Sequence, residues 1–240
     1  MNNIKENYED YSSGRVLYGA PGATNFSVSL SRQIFEICSE YLTNKGNPGP
    51  YVVYDPFCGA GYSMTVLGFL YGHNIKEIIA SDIDKTILEF ANKNLSLLSI
   101  QGMIVRVNEL KKFIEEYKKA SHKEALKSAE CLQAKSQKFS VQTKIFEFNI
   151  LSEENFPKLL NNVDIVIADA PYGKLTDWVD LQEGINPIQV TLDKIKGVLS
   201  KNAIIAIVVN KKQEISYEGY SKIKSFKFGK RKVILLELGL

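Results

Sequence analysis

The chain has 240 residues, of which 45% are hydrophobic and 24% charged, a composition typical of a globular protein with a buried core. Three cysteines without paired spacing exclude a disulfide framework and a zinc knuckle, and two histidines without an HExxH spacing give no support for a zinc hydrolase. The longest apolar run, 203–209, is far shorter than the roughly 20 residues of a membrane span, and the polar start resembles no signal peptide. We therefore expect a soluble, cytoplasmic monomer with no bound metal and no membrane partner.

The net charge of +3 hides two basic segments. Residues 106–144 hold ten basic and five acidic residues, and residues 211–232 hold eight basic and two acidic residues, so the remainder of the chain is acidic. Basic segments of this kind suit a polyanion such as nucleic acid. The alternative interpretation is a solvated helix face together with an edge strand guarded by lysines.

The first 49 residues predict an arm followed by a helix. Residues 1–25 are polar and rich in Gly and Pro, which is typical of irregular structure. From 26 to 45 apolar residues recur at helical spacing, and the GNPGP sequence at 46–50 ends that helix. We treat the arm and its helix as preceding a domain at 50–240.

Short apolar runs in the rest of the chain predict a mainly parallel sheet. Five such runs are expected to be buried strands: 51–54, 77–81, 144–150, 163–168 and 203–209. Helices are predicted between them at 63–71, from 84 and at 187–199, and the Lys-, Glu- and Ala-rich stretch at about 103–140 predicts a helical insertion. Two last strands, SKIKSFKF and RKVILLEL, flank a Gly-Lys turn. The sequence therefore predicts an α/β fold, a doubly wound, mostly parallel sheet with an antiparallel C-terminal hairpin.

Ligands of such sheets bind beyond the carboxyl ends of the strands, where four loops carry distinctive residues. The first loop, Asp55-Pro-Phe-Cys-Gly-Ala-Gly61, has two glycines that permit a tight turn and a close approach of the backbone to a ligand. The helix after it offers unpaired N–H groups. Asp55 suits a cationic ligand group better than a pyrophosphate. The alternative is an ordinary turn between strand and helix.

The second and third loops predict contacts to a nucleoside. Asp82, at the end of the second strand, can accept both hydroxyls of a ribose, with Ile83 as a wall for the adenine. The alternative is that these acids cap the next helix, which we expect of Asp84. In the third loop, Phe148-Asn-Ile150, Asn149 can hydrogen-bond the edge of an adenine, although an Asn that leaves a strand is usually a turn former.

The fourth loop, Asp169-Ala-Pro-Tyr-Gly173, is the most distinctive feature of the chain. Asp169 supplies a carboxylate acceptor, and Pro171 fixes a turn in which the Ala170 carbonyl can be a second acceptor. Tyr172 offers a flat aromatic face. Two acceptors and a stacking ring suit a planar substrate with an exocyclic amine, whereas the alternative is a type I turn that contains proline.

Taken together, the four loops resemble the motifs of class I S-adenosylmethionine (SAM) dependent methyltransferases, whose seven-stranded Rossmann-like sheet ends in a reversed strand. DAPYG resembles the [D/N]-x-P-[Y/F] motif of enzymes that methylate exocyclic amines of nucleobases. The resemblance implies SAM as the cofactor. The residues implied to hold it are Asp55, Phe57, Cys58, Gly59, Gly61, Asp82, Ile83, Asn149 and Ile150.

A closer resemblance, to the avilamycin-resistance rRNA guanine methyltransferases (AviRa type), is carried by GRVLYGAPGATNF at 14–26 and by the Lys/Glu-rich insertion. It implies methylation of a guanine in large-subunit ribosomal RNA, with rRNA or a ribosomal subunit as partner and antibiotic resistance as a possible outcome. The implied catalytic residues are Asp169, Ala170, Pro171 and Tyr172. Ala170 stands where relatives often have a second proline. Contacts to RNA are expected from Arg15, Lys111, Lys112, Lys222, Lys224 and Lys227.

Several alternatives stay open on the sequence alone. The acceptor can be an adenine of DNA, a glutamine amide of a protein or a small molecule, although a small-molecule substrate gives the basic segments no role. The chain can also be a non-catalytic RNA-binding module with a SAM-type fold, against which the intact DAPYG and DPFCGAG argue. Within guanine, the sequence does not separate the ring nitrogen N1 from the amine N2.

Overall fold

The computed structural model describes residues 8–21, 27–152, 154, 156–157, 160–171, 178 and 185–239. Within them the strands are β1 (Tyr51–Asp55), β2 (Ile75–Asp82), β3 (Gln142–Glu147), β4 (Val163–Asp169), β5 (Leu199–Asn210), β6 (Tyr220–Phe228) and β7 (Arg231–Leu238). The α-helices are α1 (Val28–Asn44), α2 (Tyr62–Tyr71), α3 (Lys85–Ser96), α4 (Ile100–Tyr117), α5 (Ala120–Ser136) and α6 (Pro187–Ile195).

The strands form one seven-stranded sheet in the order β3-β2-β1-β4-β5-β7-β6. The pairs β1–β2, β1–β4, β2–β3 and β4–β5 are parallel, whereas β7 is antiparallel to both β5 and β6. The predicted doubly wound sheet with a reversed C-terminal strand is thus confirmed. Because the strand order changes direction between β1 and β4, the ligand edge of the sheet lies at the carboxyl ends of these two strands and of β2.

The predicted third strand, 144–150, extends three residues too far. β3 ends at Glu147, and the chain then turns because the Asn149 Oδ1 accepts a hydrogen bond from the Leu151 N–H at 3.0 Å. Such a local turn by an Asn side chain competes with the sheet ladder. Asn149 and Ile150 therefore lie in a loop.

Two helical predictions are confirmed with shifted ends. The predicted helix 187–199 ends at Ile195 and continues as a short 3-10 turn, Lys196–Val198. The insertion is helical as predicted and consists of α4 and α5, but α4 already begins at Ile100, where the Ser99 Oγ caps it by accepting from the Gly102 N–H at 3.0 Å.

Both faces of the sheet are covered, which explains the unbroken apolar runs of its central strands. Alternate residues go to opposite sides, so that Val53 packs in a core with α1, α2 and α3, while Tyr54 packs in a second core with α6. Since α1 shares the first core with the central strands, the predicted helix of the first 49 residues is packed onto the sheet.

The described part of the N-terminal arm, residues 8–21, is mostly irregular, apart from a 3-10 turn at Glu9–Tyr11, and is held against the insertion by Arg106. The Arg106 Nε donates to the Val16 carbonyl at 2.8 Å, and its guanidinium lies 4.2 Å from the centre of the Tyr18 ring. Arg106 is only 6% exposed. It therefore does not belong to the RNA-facing basic surface that the charge pattern suggested.

The absence of a side chain at Gly61 allows α2 and α3 to pack closely, which leads to a stability prediction. Its φ is +69°, and a Cβ there would lie 3.1 Å from the Ala91 Cα. Because backbone strain and overpacking add, we expect Gly61→Ala to lower the free energy of unfolding by about 1–3 kcal/mol, measured by urea denaturation. The matched control is Gly197→Ala, where a Cβ meets no atom within 4 Å. Equal effects of the two substitutions would contradict the prediction.

Candidate functional site

Three carboxylates meet at the ligand edge of the sheet. Asp55, Asp82 and Asp169 are the last residues of the adjacent strands β1, β2 and β4. Burial raises the pKa of Asp55 well above its usual range, and the nearby charges of Asp169 and Asp82 raise it further. A cationic ligand would relieve this repulsion, because it stabilises the charged form of each carboxyl group.

The Asp82 carboxylate joins two of the predicted loops. Its Oδ2 accepts from the Gly59 N–H at 2.9 Å, and its Oδ1 accepts from the Asp84 N–H at 3.0 Å. Burial raises its pKa, while these backbone hydrogen bonds oppose the rise. Since each carboxylate oxygen can accept more than one hydrogen bond, this arrangement is compatible with ribose hydroxyls as additional donors.

Asp84 has the capping role expected of it. Its Oδ1 accepts from the Thr86 N–H at 2.8 Å and from the Thr86 hydroxyl at 2.6 Å, at the first turn of α3. These hydrogen bonds lower the pKa of Asp84. The two acids of the second loop therefore differ: Asp84 is exposed and structural, whereas Asp82 lies further in, beside the glycine loop.

Two hydrogen bonds from backbone N–H groups fix the glycine loop, one to a side chain and one to a carbonyl. The Asp55 Oδ1 accepts from the Phe57 N–H at 3.0 Å, and the Cys58 N–H donates to the Ser81 carbonyl at 3.0 Å. Gly59 has a φ of +50°, and a Cβ there would meet only the Ile87 Cδ1, at 3.8 Å. A ligand can therefore approach the backbone at Gly59 closely.

Cys58 is a structural member of that loop. Its side chain is buried, and burial raises the pKa of the thiol well above its usual range, with further contributions from Asp55 and Asp82. A thiol in such surroundings stays neutral and is a poor nucleophile. The position thus calls for a small side chain and provides no covalent chemistry.

The residues predicted to contact an adenine lie in different surroundings. Ile83 is exposed, Ile150 is buried in the second core, and Asn149 is half-buried. The Asn149 Oδ1 makes the turn described above, so its Nδ2 group is the part that can serve a ligand.

The DAPYG loop begins inside the sheet. The Ala170 N–H donates to the Val208 carbonyl at 3.1 Å, so the chain stays paired with β5 up to this buried residue. Pro171 is the first residue beyond this pairing. The Asp169 Oδ2 lies 3.6 Å from the Arg231 Nη2. Tyr172, the predicted stacking ring, lies outside the described residues.

The residues predicted to contact RNA do not form one cluster. Lys111 and Lys112 are exposed on α4, which packs beside α3 on the β2–β3 half of the sheet. Lys222, Lys224 and Lys227 are exposed on β6, the opposite edge strand. Arg15 is half-buried between two carboxylates, with nitrogen–oxygen distances of 3.6 Å to Glu9 and 3.9 Å to Glu124.

Sequence reasoning missed Asn94, which connects the arm to the glycine loop. Its Nδ2 donates to the Ala60 carbonyl at 2.8 Å and to the Tyr18 carbonyl at 2.9 Å, and its Oδ1 accepts from the Tyr18 N–H at 2.7 Å. The one available signal was a polar residue within the apolar stripe of α3, next to Leu95. Asn94 is fully buried and satisfies the backbone of two separate loops.

Two structural findings bear on the expected absences. Across the described ranges, no group of three or more His, Cys, Asp or Glu side chains is placed to hold a metal ion. None of the helices in the described part of the chain is long and apolar enough to cross a membrane.

Comparison with known proteins agrees with the fold and identifies the family. Residues 1–231 match the family described as rRNA methyltransferase AviRa. Over 234 residues the chain is 32% identical to the 23S rRNA (guanine(2535)-N(1))-methyltransferase of Streptomyces viridochromogenes, and the match covers 95% of this chain and 90% of that protein.

Solved structures give the same result. A structure of rRNA methyltransferase AviRa from Streptomyces viridochromogenes is 30% identical with a TM-score of 0.86, covering 97% of this chain and 93% of that one. TrmN from Thermus thermophilus, 15% identical with a TM-score of 0.53, covers 89% of this chain and 49% of that one and shares the fold alone. The chain therefore belongs to the AviRa family of rRNA methyltransferases.

Proposed function

We propose that this protein transfers a methyl group from SAM to a guanine of large-subunit ribosomal RNA. The observation that carries the proposal is the convergence of Asp55, Asp82 and Asp169 at the switch point of the sheet, in a chain of the AviRa family. We further propose the ring nitrogen N1 as the acceptor, because the relative that is 32% identical is named for N1. We expect the protein to act in the cytoplasm, where ribosomes are found, and to act as a monomer.

The site fits SAM by its charge and by its open glycine turn. When bound, SAM supplies an electrophilic methyl group on a positively charged sulfur. We place its positively charged part near Asp55 and its ribose at Asp82. The lack of a side chain at Gly59 lets the cofactor come close to the protein backbone there. The remaining assignments follow the motifs: Phe57, Cys58 and Gly61 shape the turn, and Ile83, Asn149 and Ile150 surround the adenine.

The acceptor nitrogen needs a proton acceptor. The N1 of guanine carries a hydrogen, and its lone pair is delocalised into the ring, so it is a poor nucleophile until that proton leaves. In this proposal Asp169 accepts the N1 proton, the Ala170 carbonyl accepts from the N2 amine, and Tyr172 stacks on the base. Pro171 holds the turn that presents these groups.

Support for RNA binding comes from exposed aromatic and basic residues at the tip of the insertion. Phe113 and Tyr117, 37% and 52% exposed, lie beside His122, with ring centres 5.7 and 5.8 Å from it. Lys119 lies over the Tyr117 ring at 5.9 Å. Exposed rings can stack on unpaired bases while lysines contact phosphates, a combination that favours RNA over a small molecule.

The direct test offers the protein tritiated SAM with large-subunit rRNA, ribosomal subunits, DNA and protein, followed by nucleoside analysis. We expect label in 1-methylguanosine from rRNA or the large subunit. Label in N2-methylguanosine would move the acceptor to the amine that the DAPYG motif also suits. Label in DNA or protein alone would contradict the proposed substrate.

Asp82 should control the affinity for SAM. Asp82→Ala removes a charged acceptor and the anchor of the Gly59 N–H, so we expect binding to weaken by roughly ten- to a hundredfold in calorimetry. Asp84→Ala makes the same change in charge two residues away and serves as the matched control. We expect it to change the affinity by a few-fold at most, and equal losses would rule out the assignment of Asp82.

Asp169 should control the chemical step. Asp169→Ala is expected to leave SAM binding within a few-fold and to slow single-turnover methylation of rRNA by about 10²–10³. Asp169→Asn distinguishes methylation at guanine N1 from methylation at N2. An amide can accept a hydrogen bond from the N2 amine but cannot take the N1 proton. Turnover as slow in Asp169→Asn as in Asp169→Ala supports N1, and near-normal turnover of Asp169→Ala would contradict this role of Asp169.

The lysines of β6 should contribute to RNA affinity by charge. Replacing Lys222, Lys224 and Lys227 by Ala should reduce the slope of log affinity against log salt by about 0.7 for each phosphate of single-stranded RNA that these lysines neutralise. The same measurement on a Lys111→Ala, Lys112→Ala variant tests the insertion separately. An unchanged slope for the β6 variant would mean that these lysines only protect a sheet edge.

A further inference from the structure

Arg231 differs from the other basic residues of its segment in where it lies. It is the first residue of β7, the strand that runs antiparallel to β5, and it pairs with Asn210 at the carboxyl end of β5. The reversed strand therefore begins at the edge where β1, β2 and β4 end. Its start brings a cation to the ligand edge.

The guanidinium faces the proposed proton acceptor. The Arg231 Nη2 lies 3.6 Å from the Asp169 Oδ2, and the two side chains are 23% and 22% exposed. Lys230, its neighbour in the turn, is exposed. An arginine half-withdrawn from solvent and held beside a catalytic carboxylate is placed to serve the same ligand as that carboxylate.

The two side chains match one edge of guanine. Along that edge the O6 acceptor stands next to the N1–H donor, and the N2 amine follows as a second donor. An arginine donor beside a carboxylate acceptor complements this order. Adenine presents the opposite order, because its N6 is a donor and its N1 an acceptor.

We propose that Arg231 selects guanine and promotes the transfer by donating to O6 while Asp169 takes the N1 proton. This inference rests on the proposed function, whose acceptor it specifies further. In the step, the N1–H bond breaks and its proton passes to Asp169, the N1 electron pair forms the new N–CH₃ bond, and the pair of the cleaved C–S bond stays on sulfur. Negative charge from N1 spreads onto O6 as the proton leaves, and the guanidinium stabilises it.

Single-turnover methylation of large-subunit rRNA at saturating SAM tests this role across pH. We expect Arg231→Gln to slow transfer by about 10² at about pH 6.5. The defect should shrink towards about pH 9, because losing the cation raises the pKa of the N1–H group and moves the pH–rate profile upwards. Arg231→Lys keeps the charge and should lose less, and Lys230→Gln, the matched loss of charge next door, should match the wild type.

Binding of the same rRNA without SAM gives a second readout. If Arg231 contacts the base, Arg231→Gln leaves the slope of log affinity against log salt unchanged. If Arg231 contacts a phosphate, the same substitution reduces that slope by about 0.7. Thermal unfolding of each variant checks that the fold is kept, and the Lys variant keeps the test valid if the Gln variant unfolds.

Three results would overturn the inference. They are an Arg231→Gln rate equal to that of Lys230→Gln, a defect of equal size at every pH that Arg231→Lys does not relieve, and a lowered salt slope. Each of these leaves wild-type formation of 1-methylguanosine intact, so the proposed function survives. A wild-type protein that does not methylate rRNA overturns the proposed function, and the role of Arg231 with it.

Discussion

Three carboxylates held at one edge of the sheet create the electrostatic condition on which the site depends. Asp55, Asp82 and Asp169 come from neighbouring strands, and burial together with mutual repulsion raises the pKa of Asp55. Backbone N–H groups of the glycine loop offset part of this cost by donating to Asp55 and Asp82. A positively charged ligand would offset more of it, which supports our proposal of a sulfonium compound at this edge over a nicotinamide dinucleotide with its anionic pyrophosphate.

Keeping the glycine loop in place involves parts of the chain that are distant in sequence. Asn94 binds the loop at Ala60 and the arm at Tyr18, and Arg106 binds the arm at Val16. The insertion thus has two sides with different roles. Its buried side supports the arm, which Asn94 of α3 in turn links to the loop. Its exposed side carries the aromatic and basic tip that we assign to RNA.

The basic residues of the chain divide by burial rather than by position in the sequence. Arg106 and Arg231 belong to segments with a net positive charge, yet both guanidinium groups lie at least half withdrawn from solvent and face carboxylates, Glu109 and Asp169. Arginine suits such places because its planar group stays charged and can serve several acceptors. The exposed lysines of α4 and β6 lie on two opposite sides of the site, where an extended RNA can meet both.

The sequence by itself determined the succession of apolar strands, the reversed hairpin and the motifs at the strand ends, because these depend on local periodicity and on glycine, proline and acidic residues at fixed spacing. It also predicted the cap at Asp84. It left Asn149 both inside the predicted strand 144–150 and as a turn former, because a side-chain turn and a ladder hydrogen bond compete for the same stretch of backbone. The structure shows the turn. Nothing in the sequence indicated that Arg106 and Arg231 differ from surface basic residues, and for Asn94 the one sign was its place within the apolar stripe of α3. Their roles exist only because tertiary folding brings α3 to the arm, α4 to Val16, and the start of β7 to the end of β4, and charge summed along a chain carries no information on which charges become neighbours.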